Sequence, residues 1–249
     1  MPRFQHALVV GASSGMGEAL ARRLASEGTR VAMVTRRATD LQRIMDDINS
    51  AAGEKRAVAI AHDVRAVDEV PDLFQAIARE LGGLDLVIFA AGVMPEVALD
   101  EFDTTKDREM LDVNLLGAVA WLNQAADRFA RLGRGTIVGI GSVAGDRGRA
   151  PNPVYCTSKA GLHAYLEALR NRLARLGVRV VTIKPGFVDT AMTSGKDGLF
   201  WLISSDEAAD TILRKAEKGA VSAYVPARWR WLMLVVRSIP SFIFTRLGI

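Results

Sequence analysis

Short runs rich in β-branched residues alternate with longer segments whose apolar residues recur near every 3.6 positions, and the alternation persists almost to the end of the chain. The runs His6–Gly11, Arg30–Thr35, Ala57–Ala61, Leu84–Phe89, Gly135–Ile140, Arg179–Lys184 and Val221–Val225 are predicted strands. The segments Gly15–Glu27, Leu41–Ala52, Val67–Leu81, Val113–Arg131, Val154–Leu176 and Asp206–Lys218 are predicted helices. Strands separated by helices pair in parallel, because each helix serves as the crossover and covers one face of the sheet. The predicted fold is therefore α/β, a doubly wound parallel sheet, in which ligands bind beyond the carboxyl ends of the strands. No Pro/Gly/Ser linker interrupts the pattern, and 249 residues suit one large α/β core.

Gly11-Ala12-Ser13-Ser14-Gly15-Met16-Gly17 follows the first predicted strand and opens the first predicted helix. Backbone N–H groups in such a turn, with the helix N-terminus behind them, cradle a pyrophosphate when no side chain stands at the glycines. A tight chain reversal needs the same glycines, so it is the place of the motif, at the first strand–helix junction, that argues for a dinucleotide. The second strand ends in Val34-Thr35-Arg36-Arg37, where an NAD site carries an acid for the ribose 2′-hydroxyl. Guanidinium groups suit a 2′-phosphate instead, so NADP(H) is expected over NAD(H), with Thr35 and Arg36 at the phosphate. Arg37 is either a second contact or a solvated surface residue. Asp63 and Val64 follow the third strand as a carboxylate and an apolar wall for adenine, although Asp63 also reads as a helix cap.

Tyr155-Cys156-Thr157-Ser158-Lys159 carries the most chemistry. Residues four apart share one face of a helix, so the phenol and the ammonium point into one cleft. A phenol with a pKa of about 10 is a poor base at neutral pH, and a nearby cation favours its phenolate. Ser142 follows the fifth predicted strand, where its hydroxyl can bond a substrate carbonyl, and Asn114 opens an apolar helix. His6, His62 and His163 have no metal-ligand spacing, and no metal is expected. The single cysteine, Cys156, cannot form an intrachain disulfide, which fits a reducing compartment.

With these residues in view, the chain resembles the short-chain dehydrogenase/reductase family from about His6 to Val225. The resemblance rests on Gly11, Gly15 and Gly17, Asp63, Ala91-Gly92, Asn114 in Val113-Asn114-Leu115, Ser142, the Tyr155/Lys159 pair and Pro185-Gly186, in the family's order and spacing. It implies a seven-stranded Rossmann sheet, a nicotinamide cofactor and a catalytic set of Asn114, Ser142, Tyr155 and Lys159. It further implies that Lys159 binds the nicotinamide ribose, that Asn114 holds a water linking Lys159 to solvent, and that Val188 and Thr190 flank the nicotinamide. The expected reaction is interconversion of a ketone and a secondary alcohol, with Tyr155 as acid/base. Two departures are Phe89-Ala90-Ala91-Gly92 where the family often has Asn-Asn-Ala-Gly, and Val10 in place of the usual threonine. A nucleotide-binding regulatory protein without turnover is the rival reading, and the complete catalytic set argues against it.

Residues 1–227 are read as one nucleotide-binding and catalytic domain and 228–249 as an apolar, basic extension. Within the first, 190–205 has the length of an active-site lid; its Leu199–Ile203 run either covers a substrate or packs on the body. Met94, Val143, Phe187, Phe200 and Trp201 are candidate substrate contacts, and the substrate is expected to be a hydrophobic small molecule. The stripe Leu115, Val119 and Leu122 is core or subunit interface, and the family resemblance implies a homodimer or tetramer through the helices of Asn114 and Tyr155. In the extension, Trp229, Trp231, Leu234, Val235, Phe242 and Ile243 are interleaved with Arg230, Arg237 and Arg246, and Pro240 interrupts any helix. Such a segment either lies in a lipid interface or packs over the cleft or a subunit interface. A formal charge of +4 with scattered basic residues does not suggest nucleic acid as a partner. No signal peptide is evident at the start, so the expected compartment is the cytoplasm, with the inner membrane surface as the place for a peripheral tail.

Overall fold

The computed structural model describes residues 3–247; the first two residues of the predicted domain and the last two of the predicted extension lie outside the described residues. Strands β1 (His6–Val10), β2 (Arg30–Thr35), β3 (Ala57–Ala61), β4 (Leu86–Phe89), β5 (Gly135–Ile140), β6 (Val178–Pro185) and β7 (Ser222–Val225) form a single sheet. They run in parallel in the order β3-β2-β1-β4-β5-β6-β7. The chain reverses its direction of travel across the sheet between β1 and β4, which opens a crevice at the carboxyl ends of those two strands.

Alternation along each strand divides the core in two, because successive side chains point to opposite faces. Val9, Met33, Ile88 and Val138 pack on one face beneath α1 (Gly15–Ser26), α2 (Ala38–Ala52) and α7 (Ser205–Glu217). Leu8, Val34, Phe89 and Ile137 pack on the other beneath α3 (Val70–Leu81), α5 (Gly117–Leu132) and α6 (Pro153–Leu173). Trp121, Phe74, Phe89 and Phe129 are the largest fully buried side chains and fill this second face. Both faces of the strands are covered, which is why they read as nearly continuous apolar runs.

Three elements depart from the sequence expectations. Helix α4 (Thr104–Leu111) went unpredicted because, of Thr-Thr-Lys-Asp-Arg-Glu-Met-Leu, only Met110 is buried, leaving no apolar periodicity to detect; Asp103 caps it by accepting from Thr105 N at 2.8 Å. The predicted helix Val113–Arg131 begins as a π-helical turn, Asp112–Leu116, joining α4 to α5. The segment predicted as a lid over 190–205 ends one residue early, where Ser204 accepts from Glu207 N at 3.1 Å and caps α7.

The extension folds onto the body of the chain. Pro240 separates α8 (Trp229–Ser238) from the single turn α9 (Ser241–Phe244), and Trp229 and Met233 bury against Val143 and Phe187. Among the described residues no helix is long and apolar enough to cross a membrane.

Candidate active site

At the carboxyl ends of β1, β2 and β4 lies a cavity of about 370 Å³, lined by Gly11, Ser13, Ser14, Gly15, Met16 and Gly17 of the first turn. Gly11 has φ +92°, and a Cβ there would collide with the backbone of Ala91. Gly17 meets the Gly11 carbonyl in the same way, so any side chain at either position would close the turn. Thr35, Arg36, Arg37, Val64, Ala91, Gly92 and Thr190 complete the wall predicted for a nucleotide. Thr35 Oγ1 donates to Ser13 Oγ at 3.0 Å. Arg37 donates from Nη2 to both Ser13 Oγ and Ser14 Oγ at 2.9 Å, which holds its guanidinium over the turn. Arg36, by contrast, leans toward Asp63 with a separation of 3.9 Å.

The predicted catalytic side chains converge beyond β4 and β5. Tyr155 and Lys159 lie on one side of α6, with Lys159 Nζ 5.8 Å from the centre of the phenol ring. Both are buried, at 7% and 4% exposed. Burial pushes the Tyr155 phenol above its usual 10, against the opposing pull of a hydrogen bond with Ser142 and the charge of Arg149. Burial lowers the Lys159 ammonium from 10.5 to about 8. Its Nζ donates to the Ile140 carbonyl at 3.1 Å, at the end of β5.

Asn114 sits in the π-helical turn, fully buried. Its Oδ1 accepts from Val93 N at 2.7 Å, and its Nδ2 donates to Val93 O at 2.9 Å and Ser158 Oγ at 3.2 Å. The amide therefore ties the segment after β4 to α6, and π-turns recur at functional sites because the widened ladder re-aims a side chain. A Cβ at Gly92 would stand 3.3 Å from Lys159 Nζ and 3.4 Å from Asn114 Oδ1, so this glycine keeps open the space between the Gly-rich cavity and these two side chains.

Ser142 begins the one-turn segment Val143–Asp146 and accepts from Ala144 N at 3.1 Å. Behind it, His163 Nε2 accepts from Ser142 N at 3.4 Å. Burial, reinforced by the charge of Lys184 and opposed by Asp146, lowers this imidazole to about 4, so it is neutral and able to accept. Asp146 anchors the far end of the segment, accepting from Lys184 Nζ at 2.5 Å and Tyr224 Oη at 2.6 Å. Arg147 then reaches into the extension, donating from Nη1 to Val236 O and Ile239 O, each at 2.6 Å, and lying 3.8 Å over the Phe244 ring.

The structure divides the expected substrate residues between two walls. Val143, Phe187, Phe200 and Trp201 gather around Trp229 of the extension, which stacks on Phe200 at 5.1 Å and meets Phe187 and Trp201 edge-on. Met94 stands opposite, packed against the cluster of Met110, Ala144, Tyr155 and Cys156. Other expected cofactor residues border the cavity without lining it. The Asp63 carboxylate is outside the cavity lining and is occupied by Arg65, whose Nη2 lies at 2.6 Å. Pro185, Gly186 and Val188 are also outside it: a Cβ on Gly186 would strike the Trp229 indole, and Val188 is buried and bridged to Ile203. His62, Val93, Ala191 and Met192 line the cavity without having been singled out. His62 had a readable signal in its place directly after β3, whereas Ala191 and Met192 had none.

A family model described as short chain dehydrogenase matches residues 5–197. An uncharacterized oxidoreductase of Myxococcus xanthus is 34% identical over 233 residues, covering 93% of this chain and 90% of its own. A short-chain type dehydrogenase/reductase from Mycobacterium marinum superposes with a TM-score of 0.80 at 26% identity, over 88% of this chain and 92% of the other. ElxO, solved with NADP bound, shares the fold with a TM-score of 0.81 at 20% identity, over 89% of this chain and 97% of its own.

Proposed function

The chain belongs to the short-chain dehydrogenase family of oxidoreductases, and from that premise we propose that it interconverts a hydrophobic ketone and its secondary alcohol with NADP(H). The observation that carries this reading is the buried pair of Tyr155 and Lys159, with Nζ 5.8 Å from the phenol ring, next to a Gly-rich cavity that suits a dinucleotide. The nicotinamide supplies or accepts the hydride when bound. Tyr155, kept protonated by burial, donates its proton to the substrate oxygen in the reductive direction, and Ser142 orients that oxygen. Lys159, charged at neutral pH, stabilises the phenolate left behind and has hydrogens to spare for a ribose hydroxyl. With the Asn114 side chain engaged by Val93 and Ser158, the water relay expected of this residue falls to its main chain.

The preference for NADP(H) is supported by Arg37 held between Ser13 and Ser14, with Arg36 on the same cavity wall. A hydrophobic substrate is supported by the wall of Phe187, Phe200, Trp201 and Trp229. The free thiol of Cys156 suits the cytoplasm. The decisive experiment is Tyr155→Phe: turnover of ketones with NADPH is expected to vanish while NADPH still binds. Turnover near that of the unaltered protein would overturn the assignment.

A further inference from the structure

We propose that the outward faces of α8 and α9, together with the exposed rings of the 198–203 segment, dock on an anionic lipid surface. Within α8 the inward positions are Trp229 and Met233, and the outward ones are Trp231, Leu234 and Val235, at 66%, 56% and 61% exposed. The spacing of three and four residues sets the outward three on one stripe. Phe242 of α9 is likewise 68% exposed, and Phe200 and Trp201, which pack on Trp229, are themselves 48% and 37% exposed. These side chains have no room to turn inward. Arg147 holds the end of α8 by two carbonyls and packs on Phe244, while Trp229 fills the space behind.

The charge pattern selects the occupant. From Arg228 to Leu247 the ionisable side chains are Arg228, Arg230, Arg237 and Arg246, with no aspartate or glutamate. All four arginines are exposed. The guanidinium of Arg228 lies over the Trp201 ring at 5.1 Å, and that of Arg230 over Trp231 at 5.6 Å. Aromatic rings edged by arginines match the boundary between acyl chains and anionic headgroups. A second copy of the chain fits less well, because a twofold interface sets a patch against itself, and this patch would oppose arginines with arginines. Docked in this way, the wall that carries Phe187 and Phe200 faces the bilayer, the source of a lipophilic substrate. That last consequence rests on the proposed reaction; the docking does not.

The test is co-sedimentation of the full chain with vesicles of phosphatidylcholine alone and of phosphatidylcholine with phosphatidylglycerol. Binding is expected only to the anionic vesicles and is expected to fall as salt is raised. Arg230→Ala with Arg246→Ala should lower the partition by about fivefold per charge, and Trp231→Glu with Val235→Glu by about tenfold or more. All four positions are exposed, so both double variants should retain NADPH binding and the turnover of a water-soluble ketone. Absence of sedimentation, equal binding to both vesicle types or indifference to the arginine substitutions would overturn the proposal. So would dissociation of an oligomer by Trp231→Glu with Val235→Glu, which would make the stripe a contact between copies. Loss of ketone turnover in unaltered protein that still sediments would count against the proposed reaction alone.

Discussion

Replacing Lys159 with methionine is expected to abolish turnover and, in the protein without nucleotide, to raise stability. The ammonium is 4% exposed, and burial lowers its pKa from 10.5 to about 8. In the unfolded chain the same group titrates near its ordinary value, so at neutral pH the buried charge costs the folded state about 3 kcal/mol, at about 1.4 kcal/mol per pH unit. Methionine removes that cost but leaves the Ile140 carbonyl without the donor it has at 3.1 Å, a loss of about 1 kcal/mol. The net gain is about 2 kcal/mol at about pH 7. Below the folded pKa of about 8 the lysine is protonated in both states and the penalty is whole. Between about 8 and 10.5 the unfolded chain binds more protons than the folded one, so the unaltered protein gains stability as pH rises and the difference between the two proteins shrinks. Urea unfolding of both proteins at about pH 7 and about pH 10 reads this, because titrations remote from Lys159 are shared and cancel. A methionine variant less stable at neutral pH, or a difference that does not change with pH, would refute the reasoning. The charge that costs stability is the one proposed to hold the Tyr155 phenolate, so function and stability oppose each other at this residue.

Arg37→Ala should weaken NADPH by about tenfold, or about 1.5 kcal/mol for a charge-assisted contact that is partly exposed, while changing NADH little. Arg36→Ala should show the same selectivity to a smaller extent, because no serine fixes that guanidinium; equal losses for both cofactors in fluorescence titrations would remove these residues from the phosphate site. Arg147→Ala deletes two bonds of 2.6 Å to the end of α8 and the contact with Phe244. It should lower stability by about 2 kcal/mol, with amide exchange by mass spectrometry accelerating in 229–244 and not in α1. Uniform acceleration across the chain would show that Arg147 supports the whole fold and not the extension in particular.

What the sequence determined by itself was whatever depends on neighbours along the chain. The alternation of β-branched runs and 3.6-residue periodicity dictated the parallel sheet, because a strand followed by a helix can return only as a parallel crossover. The turn Gly11–Gly17 was legible from its place between the first strand and the first helix, although only Gly17 answers to a neighbour within the turn, while Gly11 is kept bare by Ala91 at the exit of β4. Tyr155 and Lys159 were legible as a pair because four residues make about one helical turn. Where a residue faces a distant segment, local spacing carried no signal. The sequence favoured Arg36, next to the strand end, over Arg37, yet it is Arg37 that meets Ser13 and Ser14, which the fold brings across from the first turn. Asp63 is engaged by Arg65, two residues on, whose Nη2 lies at 2.6 Å. Gly186 is required by Trp229, more than forty positions later, and the one-turn segment after Ser142 is held by His163, Lys184, Tyr224 and the end of α8. The composition of the extension showed that it was apolar and basic, but not which residues it buried. Only packing against Val143 and Phe187 separated Trp229 and Met233 from Trp231 and Val235, because an amphipathic helix has an inside only once something lies beneath it.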